Sequence, residues 1–362
     1  MPEQIEKTLR ILRFLSTGIV KWQRMLEQNH ILYPYPDELL IGLDSLAVYC
    51  IENGMEYPTD ISEAVRLFYT PIEQWNIFCN SRFFEEDQLL YDGMPTDFCY
   101  NLAITTGDVE TELTEKLIIG VMDTCIAEGK PDDYVKFRRQ IIEHPVISKH
   151  DIVSWSLDTG NCCAANFLKD AYEELPPYTK HNGKQYICGN CGWVLEWRND
   201  IPHCDSHICS VMTNHFRNNQ ELVNSKGHIW RLKRGLLRFV TRPGLYEIRL
   251  ESKLKKMGLG VEMWPNFDAY DLRITFPYGE IWAVDVKDWG NPYFLAKSVG
   301  DFREDPVWNR AFYVIPQYRK RSCSDYKQIF RETYNGSAKV DLEMENDFIR
   351  KVKQKLEKGV KE

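Results

Sequence analysis

The chain has 362 residues, 43% of them hydrophobic, which suits two or three globular domains and argues against wholesale disorder. No stretch of 18 apolar residues occurs and the start, MPEQIEKTLR, is charged; this excludes an obvious membrane helix or secretory leader and makes a cytoplasmic protein with no membrane partner the expectation. The formal charge of −8 hides an asymmetry, with 15 Lys and Arg against 30 Asp and Glu in residues 1–180 and 30 against 23 in the remainder.

An acidic front half repels phosphate and suits contact with a protein partner or a second copy of the chain, whereas a basic rear half suits nucleic acid. Residues 1–180 read as a mostly helical domain. Ile5, Leu9, Leu12, Leu15 and Ile19 recur at three- and four-residue spacing, an apolar stripe on one helix face. Further helices are expected over Pro36–Asn53, Ile61–Phe68, Thr111–Ala127 and Asp132–Glu143, and Pro176 with Pro177 marks a linker in Leu175–Asn182. This half contains no catalytic motif. The His144-Pro145 and His150-Asp151 pairs have no metal-ligand spacing.

Residues 183–215 carry four of the eleven cysteines: Cys188 and Cys191 as CxxC, then Cys204 and Cys209. Two knuckles at that spacing predict a tetrahedral thiolate site for one structural Zn²⁺ in a segment with little core of its own. His203 and His207 are nearby alternatives for the fourth ligand. Trp193–Trp197 suits a short hairpin arm. The odd cysteine total with one cluster suits a reducing compartment rather than a disulfide framework.

From residue 227 a third domain is expected to run to 362. Residues 226–256 hold ten Lys and Arg and only two acids, Glu247 and Glu251. Arg231, Lys233, Arg234, Arg238 and Arg242 are candidates for tracking a nucleic-acid backbone, with Lys297 further on. A helix is expected from Gly244 to Met257, ending at Gly258. Strands follow at Val261–Trp264, Tyr270–Phe276 and Ile281–Val286, then a helix at Asn291–Val299, a strand at Ala311–Ile315 and a last helix over Asp341–Lys358. Tyr293 lies on the helix that follows the third strand.

Asp285 closes an apolar run, in the text AVDVKDW. Period-two geometry puts Asp285 and Lys287 on one face, and a turn brings Asp271 to the same end of the sheet. Two carboxylates can hold Mg²⁺ or Mn²⁺, and a lysine can orient water or stabilise phosphate charge. Glu247 on the preceding helix can supply a third acid. Asp268 competes with Asp271 as the first acid, but Asp271 opens the alternating strand. Asp285 and Lys287 alone would be an ordinary surface ion pair; the upstream acid, the glutamate helix and the basic stretch in this order favour phosphodiester chemistry.

The segment PNFDAYDLRI…WAVDVKDW resembles the signature of the PD-(D/E)xK restriction-endonuclease superfamily, with Asp271 as the first acid and Asp285-Val286-Lys287 as (D/E)xK. Pro265 stands six residues ahead of Asp271 rather than beside it, a departure from that pattern. The cysteine module resembles a zinc ribbon. The layout of helical half, cysteine module and nuclease looks like the restriction-endonuclease-like protein that accompanies prokaryotic PIWI modules in defence islands. The resemblance implies an α/β nuclease domain with a mixed sheet flanked by helices, and a Mg²⁺-dependent DNA endonuclease in antiviral defence. The alternatives are a catalytically inactive nucleic-acid-binding adaptor, for which the intact acid–lysine set has no use, and a zinc-ribbon transcription factor, which leaves the acids unexplained.

Overall fold

The computed structural model describes all residues except 1, 30–32, 79–82, 85–86, 104–108, 158–161, 199, 207, 210–219, 223–227, 322 and 360–362. The front half forms the expected helices α1 (Pro2–Asn29), α2 (Asp37–Glu52) and α3 (Ile61–Phe68), then an unforeseen short α4 (Asp97–Leu102), and the expected α5 (Val109–Ala127) and α6 (Pro131–Glu143). Leu12, Leu15 and Ile19 of the α1 stripe are buried in one cluster with Leu39 and Leu46 of α2. Gly18 permits the close approach, because a Cβ there would lie 2.3 Å from the Leu39 backbone nitrogen. Asp60 caps α3 by accepting the Glu63 N–H at 2.9 Å, and Glu63 returns a bond to the Thr59 N–H at 2.8 Å. Two helix-end donors are satisfied by this exchange.

The rear half is a mixed five-stranded sheet. Its strands are β1 (Gly260–Met263), β2 (Leu272–Thr275), β3 (Ile281–Val286), β4 (Arg310–Ile315) and β5 (Val340–Met344), hydrogen-bonded in that order. The first three are antiparallel neighbours, and β4 and β5 add in parallel. The parallel pairs need crossovers, supplied by α8 (Pro292–Ser298) and α9 (Tyr326–Thr333). Before the sheet comes α7 (Arg242–Lys255), and after it α10 (Glu345–Gly359). Alternation sorts the two faces. Val284, Val286, Phe312 and Val314 share a core with Leu250 of α7 and Phe348 of α10. Ala283, Ala311 and Tyr313 share the other with Leu295 of α8 and Phe330 of α9.

Two expectations change. The last helix starts at Glu345, not Asp341, because Val340–Met344 pairs in parallel with β4 from Ala311 to Ile315. Sheet pairing and the burial of Val340, Leu342 and Met344 outweigh local helical spacing. The basic run, in which no strand was expected ahead of Gly244, begins as one. Ile229–Leu232 is the central strand of a small sheet, between Val146–Ser148 and Tyr172–Glu174 from the front half. The segments 1–180, 183–215 and 227–362 also share one apolar core. It runs from Val121 and Phe137 through Trp193 and Leu195 to Leu272 and Phe348. Among the described residues no helix is long and apolar enough to cross a membrane.

Candidate active site and cysteine cluster

The β2–β3 pair carries the predicted acids, and their hydrogen bonds interlock. The Val286 N–H donates to Asp271 Oδ2 at 2.7 Å, and the Asp271 N–H donates to Asp285 Oδ1 at 3.1 Å. Lys287 Nζ lies 3.1 Å from Asp285 Oδ2. Each carboxylate is thus fixed by the other strand's backbone or by the lysine, at the C-terminal end of β3. Glu247 arrives from α7, only 2% exposed. The Trp264 indole donates to its Oε2, and Arg138 Nη2 stands 3.6 Å from the same oxygen.

The electrostatics follow from packing three acids into little water. Burial, then the charges of Glu247 and Asp285, push the Asp271 carboxyl well above the usual carboxylate range. Burial also raises Glu247, against the pull of Arg138 and the Trp264 hydrogen bond. Burial would lower the Lys287 ammonium, but Asp271 and Asp285 outweigh it and raise it. Like charges crowded this way would be relieved by a cation, and carboxylate oxygens are the ligands that a hard divalent ion takes.

Glu247, Asp271 and Lys287 line a cleft of about 360 Å³ with Arg138, and Asn190 and Cys209 of the cysteine module line it too. Asp268 is held elsewhere. It accepts from the Tyr134 hydroxyl and is ion-paired with Arg138, both on α6. The turn that carries it is left-handed at Trp264, Asn266, Phe267 and Asp268, with φ of 47°, 46°, 54° and 63°. Such angles are unfavourable for bulky residues and persist only when neighbours hold them.

The four cysteines converge, their sulfurs all within 4.8 Å of one another and all buried. The Gly192 N–H bonds the Cys188 carbonyl at 2.9 Å and the Cys188 N–H bonds that of Trp193 at 2.7 Å. Gly192 takes φ 71° in this turn, a conformation that glycine adopts without strain. The Asn190 side-chain amide donates to Cys209 Sγ at 3.2 Å. Four sulfurs in one buried spot could hold a metal ion such as zinc. His203 Nδ1 meets the Asp92 carboxylate instead, and His207 lies outside the described residues.

The arginines of the basic run are engaged internally. Arg238 donates twice to Asp205, at 3.2 and 3.0 Å, and Arg242 once at 2.6 Å. Arg234 pairs with Glu196 and lies 3.4 Å from Asp205. Arg231, 4% exposed, pairs with Glu173 at 2.8 Å and sits over the Trp193 ring. Asp97 is 3.8 Å from Arg242. Four guanidiniums therefore meet four carboxylates, and the run seats the cysteine module on the body of the protein. Arg231 and Arg234 are thus engaged with carboxylates, while Arg238 and Arg242 also border the cleft. Lys233 and Lys297 are exposed. Tyr293 packs against the core of the front half, which accounts for it without a substrate.

Arg138, Tyr134 and Trp264 were not legible as site residues. Their only signal was an arginine on an otherwise core-facing turn of an acidic half, between Phe137 and Ile141.

A carboxylate–lysine cluster thus stands at the end of a mixed sheet flanked by helices. Residues 244–360 match the family described as REase associating with pPIWI_RE. Residues 11–148 match pPIWI_RE three-gene island domain Y. Two segments of the chain are thus similar to components of the pPIWI_RE island, one of them described as an REase. No curated protein and no solved structure matches it significantly.

Proposed function

We propose that residues 227–362 are a PD-(D/E)xK-type endonuclease that hydrolyses phosphodiester bonds in DNA with Mg²⁺ or Mn²⁺, as an effector in bacterial anti-phage or anti-plasmid defence. The observation that supports this most is the convergence of Asp271, Asp285, Lys287 and Glu247 inside the segment that matches the REase family. Asp271 and Asp285 would hold the ion, with Glu247 as the third acid. When bound, the ion supplies Lewis-acid polarisation and a more acidic water. Lys287 donates to the phosphate as negative charge builds on its oxygens. Asp285 keeps that ammonium in place at 3.1 Å. The exposed Lys233 and Lys297, with Arg238 and Arg242 at the cleft, are the residues proposed to contact the DNA backbone.

The four cysteines are read as one structural Zn²⁺ site that shapes a wall of the cleft. The acidic residues 1–180 are read as a surface for a protein partner encoded in the same island, in a cytoplasmic complex. The test is nicking of supercoiled plasmid by the purified full chain, expected with Mg²⁺ or Mn²⁺ and abolished by EDTA. Tight DNA binding without cleavage in either metal would replace this reading with the adaptor.

A further inference from the structure

Arg138 belongs to α6, in the segment that matches domain Y, yet it lines the nuclease cleft. Its side chain is 13% exposed. The guanidinium stacks over the Trp264 ring at 4.6 Å, reaches Glu247 Oε2 at 3.6 Å and pairs with Asp268. Tyr134, one turn earlier on α6, bonds the other oxygen of Asp268. Both groups that address Glu247, the Trp264 indole and Arg138, meet Oε2. Among the described residues no hydrogen bond reaches Oε1. A buried carboxylate is costly without such partners. The charged groups facing this one are Arg138, Lys287, Asp268 and Asp271.

We propose that Arg138 is a positioning residue that makes domain Y part of the nuclease centre. It fixes Glu247 by one oxygen so that the other serves the cleft, and it holds the left-handed Trp264–Asp268 turn that precedes Asp271. Competence for cleavage then depends on α6 being seated against α7 and the β1–β2 turn. A partner that moves α6 would switch the nuclease without touching it. This inference rests on the nuclease reading above.

The experiment uses the full chain as R138M, R138K, E247Q, R138M/E247Q and D285A, each checked for thermal melting and zinc content. Mn²⁺ binding is measured by electron paramagnetic resonance, and cleavage by single-turnover nicking of supercoiled plasmid. Loss of a group that orients a metal ligand typically costs about 10–100-fold in metal affinity or activity. R138M and E247Q are each expected to lose that much in both readouts, and the double variant no more than the worse single. R138K, which keeps the buried charge without the planar fork, is expected to recover part of the loss. If R138M does not fold, R138K must show the same non-additivity with E247Q. Losses that multiply in the double variant overturn the inference. So does R138M binding Mn²⁺ as tightly as the parent or more tightly, since Arg138 would then be only a counter-ion in the metal's place. D285A that still nicks plasmid sinks the nuclease reading and this inference with it. D285A inactive beside R138M of parental activity overturns this inference alone.

Discussion

At the scale of single residues, the site makes different demands on acids only a few positions apart. Asp271 and Asp285 are each tied to the opposite strand's backbone, and Lys287 pairs with Asp285. Asp285→Ala and Asp271→Ala should each remove about 10²–10³ or more of the nicking rate. DNA binding in the absence of metal should persist or tighten, because a carboxylate that repels phosphate is gone. Lys287→Ala should lose cleavage but still bind Mn²⁺, since an ammonium is no metal ligand. Cleavage that survives in both Asp285→Ala and Lys287→Ala protein would refute the site. Asp268→Ala acts through Arg138 and Tyr134, so its damage should appear first in melting temperature, with Mn²⁺ binding retained. Much of this was readable beforehand. The two-residue spacing of Asp285 and Lys287 sets their common face, and the strand onset sets Asp271. The anchoring of Asp268 was not readable, because its partners lie 134 and 130 residues away on α6.

At the scale of elements, the loop between Cys204 and Cys209 does two jobs. Its cysteines close the sulfur cluster, and Asp205 joins the module to the arginine run. Freshly purified protein is expected to hold one zinc per chain by elemental analysis. Cys204→Ser should lose it and melt the module, and a metal-free parent would refute the assignment. Asp205 has a side chain only 2% exposed. Burial would raise its carboxyl, but Arg238, Arg242 and Arg234 overcome that and hold it far below the usual range. A depressed acid contributes stability that is complete above its unfolded value, about 3.9, and lost as pH falls below it. Asp205→Asn leaves three guanidiniums without their shared anion and should cost about 3–5 kcal/mol by denaturant titration. That gap should be constant from pH 8 to 5 and shrink only below about pH 4. A variant as stable as the parent at pH 7 would show that the arginines hold the module without Asp205. The basic composition was plain from sequence; its internal neutralisation depended on acids from three distant segments.

At the scale of the whole molecule, the helical half and the sheet are fastened where α6 crosses α7. Gly244, near the start of α7, makes room for it: a Cβ there would lie 2.3 Å from Ile142 Cδ1. Gly244→Ala must push that side chain aside or part the helices, and overpacking of this kind costs about 1–3 kcal/mol. Because Arg138 rides on the same helix, the substitution should lower nicking as well as melting temperature. Unchanged nicking beside a lowered melting temperature would show that the α6–α7 contact is only structural. An equally close approach, but onto backbone, governs α1 against α2. There Gly18→Ala would meet Leu39 backbone, which cannot rotate away, so its loss of stability should be the larger of the two in parallel melts.

What sequence alone determined was local in origin. Helical periodicity located α1 to α3, α5 and α6. The run ending at Asp285 defined β3, and the spacing of Cys188, Cys191, Cys204 and Cys209 named a cluster that needs no distant partner to be recognised. Tertiary structure decided what depends on pairing across long separations. Val340–Met344 became a strand because β4 offered an open parallel edge. Ile229–Leu232 became a central strand because two front-half segments flank it. The arginine run found its carboxylate partners because Glu173, Glu196, Asp97 and Asp205 come to meet it. Arg138 reached Glu247 because a shared apolar core holds α6 over the cleft. Such contacts close loops of 29 to 145 residues, and nothing in the local spacing of side chains encodes which distant group completes them.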